Sequence, residues 1–462
     1  MRTPITRREL LKNASGGFGA IALAGMLQES ELKAATQDPL AARSAHLRQR
    51  AKRVIFIFLN GGLSHIDSFD HKPKLFRDAG KTVKFYEWQG KPGDYNFYLK
   101  RPQWEFRRGG KSGLLVSDLF PHMRNVADEL CVINSLESDH TNHYEASLGM
   151  HTGSITFARP SLGSWVSYGL GTENRQLPSF VVVSPTLPYA GTQAFASDFL
   201  PGTHQGTHIT PGAEPIANLR PKSRSREQQR LELDFLNRVN RESLGGTGPE
   251  GAALEARIRS FETAFGMQSA APEIFDFSQE REATLKLYGL DRNSTTGFAW
   301  QCLVARRFAE RGVRFIELVN SNWDQHGDMM GHVPLAKQVD QPIAALIQDL
   351  KQRGMLDDTL VVLTTEFGRT PHHTAKDAKG REHHHQAFTS VLAGAGVKAG
   401  YVHGESDDYG IEVANDRVHL HDFHATLLHL LGIDHERLTY RHAGRDYRLT
   451  DVHGEVAHSI LA

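Results

Sequence analysis

Two cysteines, Cys131 and Cys302, among 462 residues leave room for one disulfide at most. Both stand in apolar stretches that suit buried thiols, which excludes a disulfide scaffold and argues against cysteine chemistry. Net charge is also lacking, because 53 basic and 53 acidic side chains cancel. Without a field of one sign there is nothing to hold nucleic acid or an anionic membrane. No internal repeat or long low-complexity tract is visible, and no apolar run reaches the roughly 20 residues of a spanning helix. What remains is the composition of a soluble globular protein, 39% hydrophobic and long enough to bury a large core.

The first residues carry paired arginines, Arg7-Arg8, ahead of a short, weakly apolar stretch from Gly16 to Leu27. This resembles a twin-arginine export signal over residues 1–35, since Gly16, Gly17, Gly19 and Gly25 would weaken an ordinary amphipathic helix. Ala34-Ala35 offers small residues for cleavage, and an uncleaved anchor is the alternative. The expected partner is the twin-arginine export machinery, and the expected location is periplasmic or cell-surface. Residues 36–462 then form the folded domain.

Within it, Arg53–Leu59 is an apolar run closed by Asn60-Gly61-Gly62, as a buried strand and tight turn would be. Similar β-branched runs recur at 129–134, 180–184, 313–319, 359–364 and 389–392, with helical stretches at 297–311, 335–353 and 423–431. This alternation predicts an α/β fold, a mostly parallel sheet covered by helices on both faces. Residues from about 202 to 251, which include the basic stretch Lys222 to Arg226, read as a peripheral helical insertion. The aromatic-rich segment Asp78–Arg108 is either a loop lining a cleft or a packed surface hairpin.

Histidine is the abundant residue, 25 in all, with clusters at His372-His373 and His383-His384-His385. Neutral imidazole is the commonest protein ligand for transition metals. Ligand-type residues follow the predicted strands: His65 and Asp67 after the first, Asp324 and His326 after 313–319, Glu366 after 359–364, and then the histidine triplet. In an open parallel sheet the carboxyl ends of the strands share one edge, so these segments converge. The expected cofactor is a divalent metal, zinc first, with manganese or iron as alternatives, because imidazole suits hard magnesium poorly. A helix over 144–151 would turn its amino end toward an anion such as phosphate or sulfate. Arg369 either adds a bidentate clamp on that anion or pairs with a structural carboxylate.

The motifs Arg53 to Asp70, Arg159-Pro160-Ser161-Leu162-Gly163-Ser164-Trp165-Val166, Thr364 to Pro371 and His421-Asp422-Phe423-His424 together resemble the family called domain of unknown function 1501. Its members resemble the alkaline phosphatase and sulfatase superfamily. The resemblance implies an alkaline phosphatase-like fold and an exported metal-dependent hydrolase of phosphate or sulfate esters, small or polysaccharide. The alternative is a non-catalytic relative that keeps the fold. On this pattern Asp324 and His326 resemble a ligand pair, and Glu366 stands where an Asp-His pair is usual, so that Phe367 replaces a ligand. His384 or a neighbour resembles the late histidine ligand, and Asn60 takes the place of an Asp. Asp67 joins the metal set, and His65 and His385 fall on the substrate side. The nucleophile position falls near His143, with Thr141 and Ser147 as the closest hydroxyls. No sulfatase-type Cys-x-Pro-Ser-Arg sequence occurs, which argues against formylglycine chemistry.

Overall fold

The computed structural model describes residues 39–88, 91–217, 219, 225–243 and 249–462. The arginine pair and the rest of segment 1–35 lie outside these residues, as do Lys222, Ser223 and Arg224 of the basic stretch. Among the described residues no helix is long and apolar enough to cross a membrane.

A nine-stranded sheet organises the chain. Numbered in chain order its strands are β1 (Arg53–Leu59), β2 (Leu130–Glu137), β3 (Phe180–Val183), β4 (Thr207–Ile209), β5 (Phe315–Asn320), β6 (Thr359–Thr364), β7 (Phe388–Ala393), β8 (Tyr401–His403) and β9 (Val418–His419). Across the sheet the order is β8-β2-β7-β6-β1-β5-β3-β4, with β9 also paired to β2. β1 lies at the centre, parallel to both β5 and β6. Its residues alternate between two cores: Ile55, Ile57 and Leu59 on one face, Val54, Phe56 and Phe58 on the other. Both faces are therefore buried, which is why the strand reads as a continuous apolar run.

Helices α1 (His143–Thr152), α2 (Leu162–Leu170), α3 (Arg226–Ser243), α4 (Pro249–Phe275), α5 (Phe298–Glu310), α6 (His332–Gln352) and α7 (Leu420–Leu430) surround the sheet. Helices α5 and α6 supply apolar side chains to the first core, and α2 and α7 to the second. The α/β expectation is met, and the sheet is mostly parallel. Only β7 runs against its neighbours, β6 and β2. The chain between β6 and β7 holds short strands and no helix, and without a helical crossover a neighbouring strand returns antiparallel. One edge consequently collects the carboxyl ends of β1, β2, β5 and β6 and the amino end of β7.

The helical part of the 202–251 segment is α3 packed beside α4, tied by an Arg230–Glu262 ion pair at 2.7 Å. Helix α4 runs on to Phe275 and places Met267, Ala271 and Ile274 in the first core. The aromatic segment forms an antiparallel hairpin of Thr82–Trp88 and Lys91–Leu99. Phe85 and Phe97 close it on His372, with ring centroids 4.7 and 4.6 Å away.

Candidate metal centre

Four loops at the collecting edge bring the site together. The loop after β2 leads into α1, where the Asn142 side chain caps the helix by accepting from the Tyr144 amide at 3.0 Å. His143, the first residue of that helix, faces the sheet edge. The loop after β5 carries Asp324 and His326 and is anchored by buried Trp323, whose Nε1 donates to Asn320 Oδ1 at 2.8 Å. Gly61, with φ at +125°, lies so close to this loop that a Cβ there would meet the Trp323 and Asp324 nitrogens at 2.6 and 2.7 Å. Only glycine lets the two loops approach this way. His383 sits on a short strand paired with Gly368–Arg369.

Each of three imidazoles has its Nδ1 engaged by an oxygen. His143 Nδ1 meets Glu366 Oε1 at 2.6 Å, His383 Nδ1 meets the Thr141 carbonyl at 2.6 Å, and His326 Nδ1 meets Glu382 Oε2 at 2.9 Å. With the proton on Nδ1, each Nε2 presents a lone pair. The Nε2 atoms converge on Asp324, at 3.3 Å for His143, 3.3 Å for His383 and 3.0 Å for His326. His326 and His383 bring their Nε2 atoms within 2.9 Å of each other. Two lone pairs at that distance repel unless a proton or a cation lies between them. His143 Nε2 is buried and has no hydrogen-bond partner, its contact with Asp324 being electrostatic only. Donor atoms of His143, Asp324 and His383 all lie within 4.8 Å of one another. A two-imidazole, one-carboxylate set with an open side fits a zinc-type ion.

Burial alone would raise the Asp324 carboxyl, but His143, His383 and Arg369 beside it outweigh burial and hold the group well below the usual carboxylate range. Burial opposes protonation of His143, yet Asp324 and Glu366 on either side raise it above 6.5. His383, by contrast, is lowered, burial being the main cause, and so tends to stay neutral.

The other residues at the edge support these groups. Buried Glu366 accepts from the Gly61 amide at 2.8 and 3.1 Å and from Thr365 Oγ1 at 3.1 Å, so it stands behind His143 and orients it. Arg369 donates from Nε to the Gly62 carbonyl at 3.0 Å, from Nη1 to the Arg381 carbonyl at 3.1 Å, and from Nη2 to the Gly61 carbonyl and, at 2.6 Å, to Asp324. Of the two roles open to Arg369, the structure shows the pairing with a carboxylate. Phe367 packs against His143 and His383, with centroids 4.9 and 4.6 Å away. Tyr189, from the loop after β3, stacks on His143 at 4.2 Å and is 43% exposed.

Several sequence candidates lie elsewhere. His384 points away, giving Nε2 to the Ile411 carbonyl at 2.6 Å, and burial pushes it down to about 3; its neighbour His383 takes the place at the centre. His65 stacks on His384 and bonds the Gly410 carbonyl at 2.9 Å, with burial pushing it down to about 4. Asp67 is enclosed by Ser64, Gln103 and Arg381 at 2.6 to 2.7 Å. Asn60 lies beside the centre and accepts from the Tyr189 amide at 3.2 Å, which anchors the Tyr189 loop. Thr141 contributes its carbonyl, and Ser147 is fully buried one turn into α1. His385 falls near Asp139 instead. Glu382 and Tyr189 escape sequence reading, the first masked by the histidines after it and the second isolated in a loop.

Fold and site together define an α/β protein with a histidine-rich, metal-compatible cluster at the carboxyl edge of its sheet. The chain belongs to the family described as protein of unknown function (DUF1501), whose model matches residues 51–461. No curated protein matches it. Similar solved structures include the lipoteichoic acid synthase LtaP from Listeria monocytogenes, 9% identical with a TM-score of 0.36 over 89% of this chain and 78% of that one. Another is the PsFucS1 sulfatase from Pseudoalteromonas sp., 12% identical with a TM-score of 0.32 over 84% and 69%. A third is a protein in the alkaline phosphatase superfamily from Vibrio parahaemolyticus, 12% identical with a TM-score of 0.32 over 86% and 70%.

Proposed function

We propose that the protein is an exported, metal-dependent hydrolase of phosphate or sulfate esters. The observation that carries this reading is the set of imidazole Nε2 atoms converging on Asp324 while each Nδ1 is engaged by an oxygen. In this reading His143, Asp324 and His383 hold the ion, and Glu366, the Thr141 carbonyl and Arg369 orient those ligands. A bound zinc-type ion supplies Lewis acidity toward an ester oxygen and acidifies water. His326, 40% exposed at the rim with Glu382 on its Nδ1, accepts the proton at Nε2. Tyr189 forms an aromatic wall over His143 against which an organic ester group packs.

One observation favours a second reading, a metal-holding protein without hydrolysis: Thr141 enters the cluster through its carbonyl, and Ser147 is buried. Elemental analysis of the purified protein with its Asp324→Ala and His383→Ala variants, followed by phosphate and sulfate ester assays, separates the two. Loss of about one metal ion per chain in both variants, together with loss of ester turnover, supports the hydrolase. Metal without turnover of any ester leaves the second reading, and a metal-free wild type removes both. Export by the Arg7-Arg8 segment is tested separately, by cell fractionation of an Arg7→Lys, Arg8→Lys variant.

A further inference from the structure

Where β9 meets β2 a second group of ligand-type side chains lies outside the centre described above. Strands β9 and β2 run parallel with Val418 opposite Leu136 and His419 opposite Glu137. The two chains leave the sheet side by side, and Asp139 and His421 each follow two residues beyond the paired Glu137 and His419, respectively. His419 Nε2 lies 3.0 Å from Asp139 Oδ1, and the donor atoms of Asp139, His419 and His421 all fall within 4.8 Å of one another. His421 is only 9% exposed, and its buried Nδ1 has no hydrogen-bond partner. An unpartnered ring nitrogen in a buried place is costly unless something binds it.

From this geometry we propose a second metal site formed by Asp139, His419 and His421, suited to zinc or another ion that accepts imidazole nitrogen together with one carboxylate oxygen. More imidazoles stand close by. The His453 ring stacks on His421 at 5.1 Å, and His385 acts electrostatically on Asp139. Two existing hydrogen bonds are given up on binding, the first being the one from His419 Nε2 to Asp139 Oδ1 at 3.0 Å. In the second, the His421 amide donates to His419 Nδ1 at 3.3 Å as the cap of α7, and a cation at Nε2 moves the imidazole proton onto Nδ1. The ion would join the start of α7 to the loop after β2. That loop also supplies the Thr141 carbonyl and His143 to the first centre, so the second site braces the first.

The test is zinc content per chain after dialysis of the full-length protein. An Asp324→Ala, His383→Ala variant should keep about one zinc per chain, and adding Asp139→Asn and His421→Gln to it should remove that zinc. Asp139 is exposed, so Asp139→Asn alone repeats the test without touching the buried ring. The second site is overturned if the Asp324→Ala, His383→Ala protein, folded as judged by circular dichroism, binds no zinc, or if its zinc survives both further substitutions. A wild type whose only zinc disappears with Asp324→Ala defeats the second site and leaves the first. A wild type whose only zinc disappears with Asp139→Asn does the reverse.

Discussion

Each imidazole at the centre has one nitrogen committed to an oxygen before any ligand arrives, so its partner sets which nitrogen is free. Glu366 does this for His143 from behind the ring. Glu366→Gln should therefore lower zinc affinity about 10–100-fold with all three ligands still present, read by competition with a chelating dye. Asp67 presents the opposite case. It is a carboxylate near the same edge, yet it pairs with Arg381 at 2.7 Å where both are almost fully buried. Removing it strands a buried guanidinium, and Asp67→Ala should cost about 3–5 kcal/mol in denaturant unfolding. Unchanged zinc stoichiometry in folded Asp67→Ala protein would confirm that the residue is structural. The family resemblance points to a histidine of the triplet at the site but not to which one. The phase of the short strand is set by its pairing, Gly368 opposite His384 and Arg369 opposite His383, and that pairing puts His384 against His65.

Helix α1 shows how a single element serves both stability and the site. Its first residue is His143, while near its far end His151 meets Glu317 of β5 at 3.1 Å in the core. Burial by itself would lower His151, but Glu317 outweighs it and raises the imidazole above 6.5. A raised folded value means that this stabilisation is fully present below pH 6.5 and is lost as the pH climbs through the folded value. The thermal stability of metal-free protein should accordingly fall from neutral toward alkaline pH, and His151→Gln should flatten that decline. An equal decline in His151→Gln would show that other groups cause it. At this scale β1, β5, β6 and helices α5 to α7 were legible, because β-branched runs and 3.6-residue periodicity are local signals. The direction of β7 was not, since its residues alone carry no record of the neighbour they pair with.

For the whole molecule, an ion held as proposed by His143, Asp324 and His383, from three distant segments, would stabilise the fold as well as the site. A ligand that binds only the native state at about 100 times its Kd adds roughly 2.7 kcal/mol. Treatment with a chelator should lower the melting temperature and zinc should restore it, whereas an Asp324→Ala, His383→Ala, Asp139→Asn, His421→Gln protein should respond to neither. A quadruple variant that still gains stability from zinc would place the binding elsewhere. Composition, strand runs and spacing by themselves determined an α/β protein with a mostly parallel sheet and ligand-type residues after its strands, since each of these is written in local pattern. Only the tertiary structure decided that His143 and His383 approach Asp324, that Glu366 and Arg369 stand behind them, and that Asp67 and His384 turn into the core. Those choices depend on strand pairing and on loop contacts between distant residues, such as Asp67 and Arg381, 314 positions apart, and no local stretch of sequence encodes such a distance.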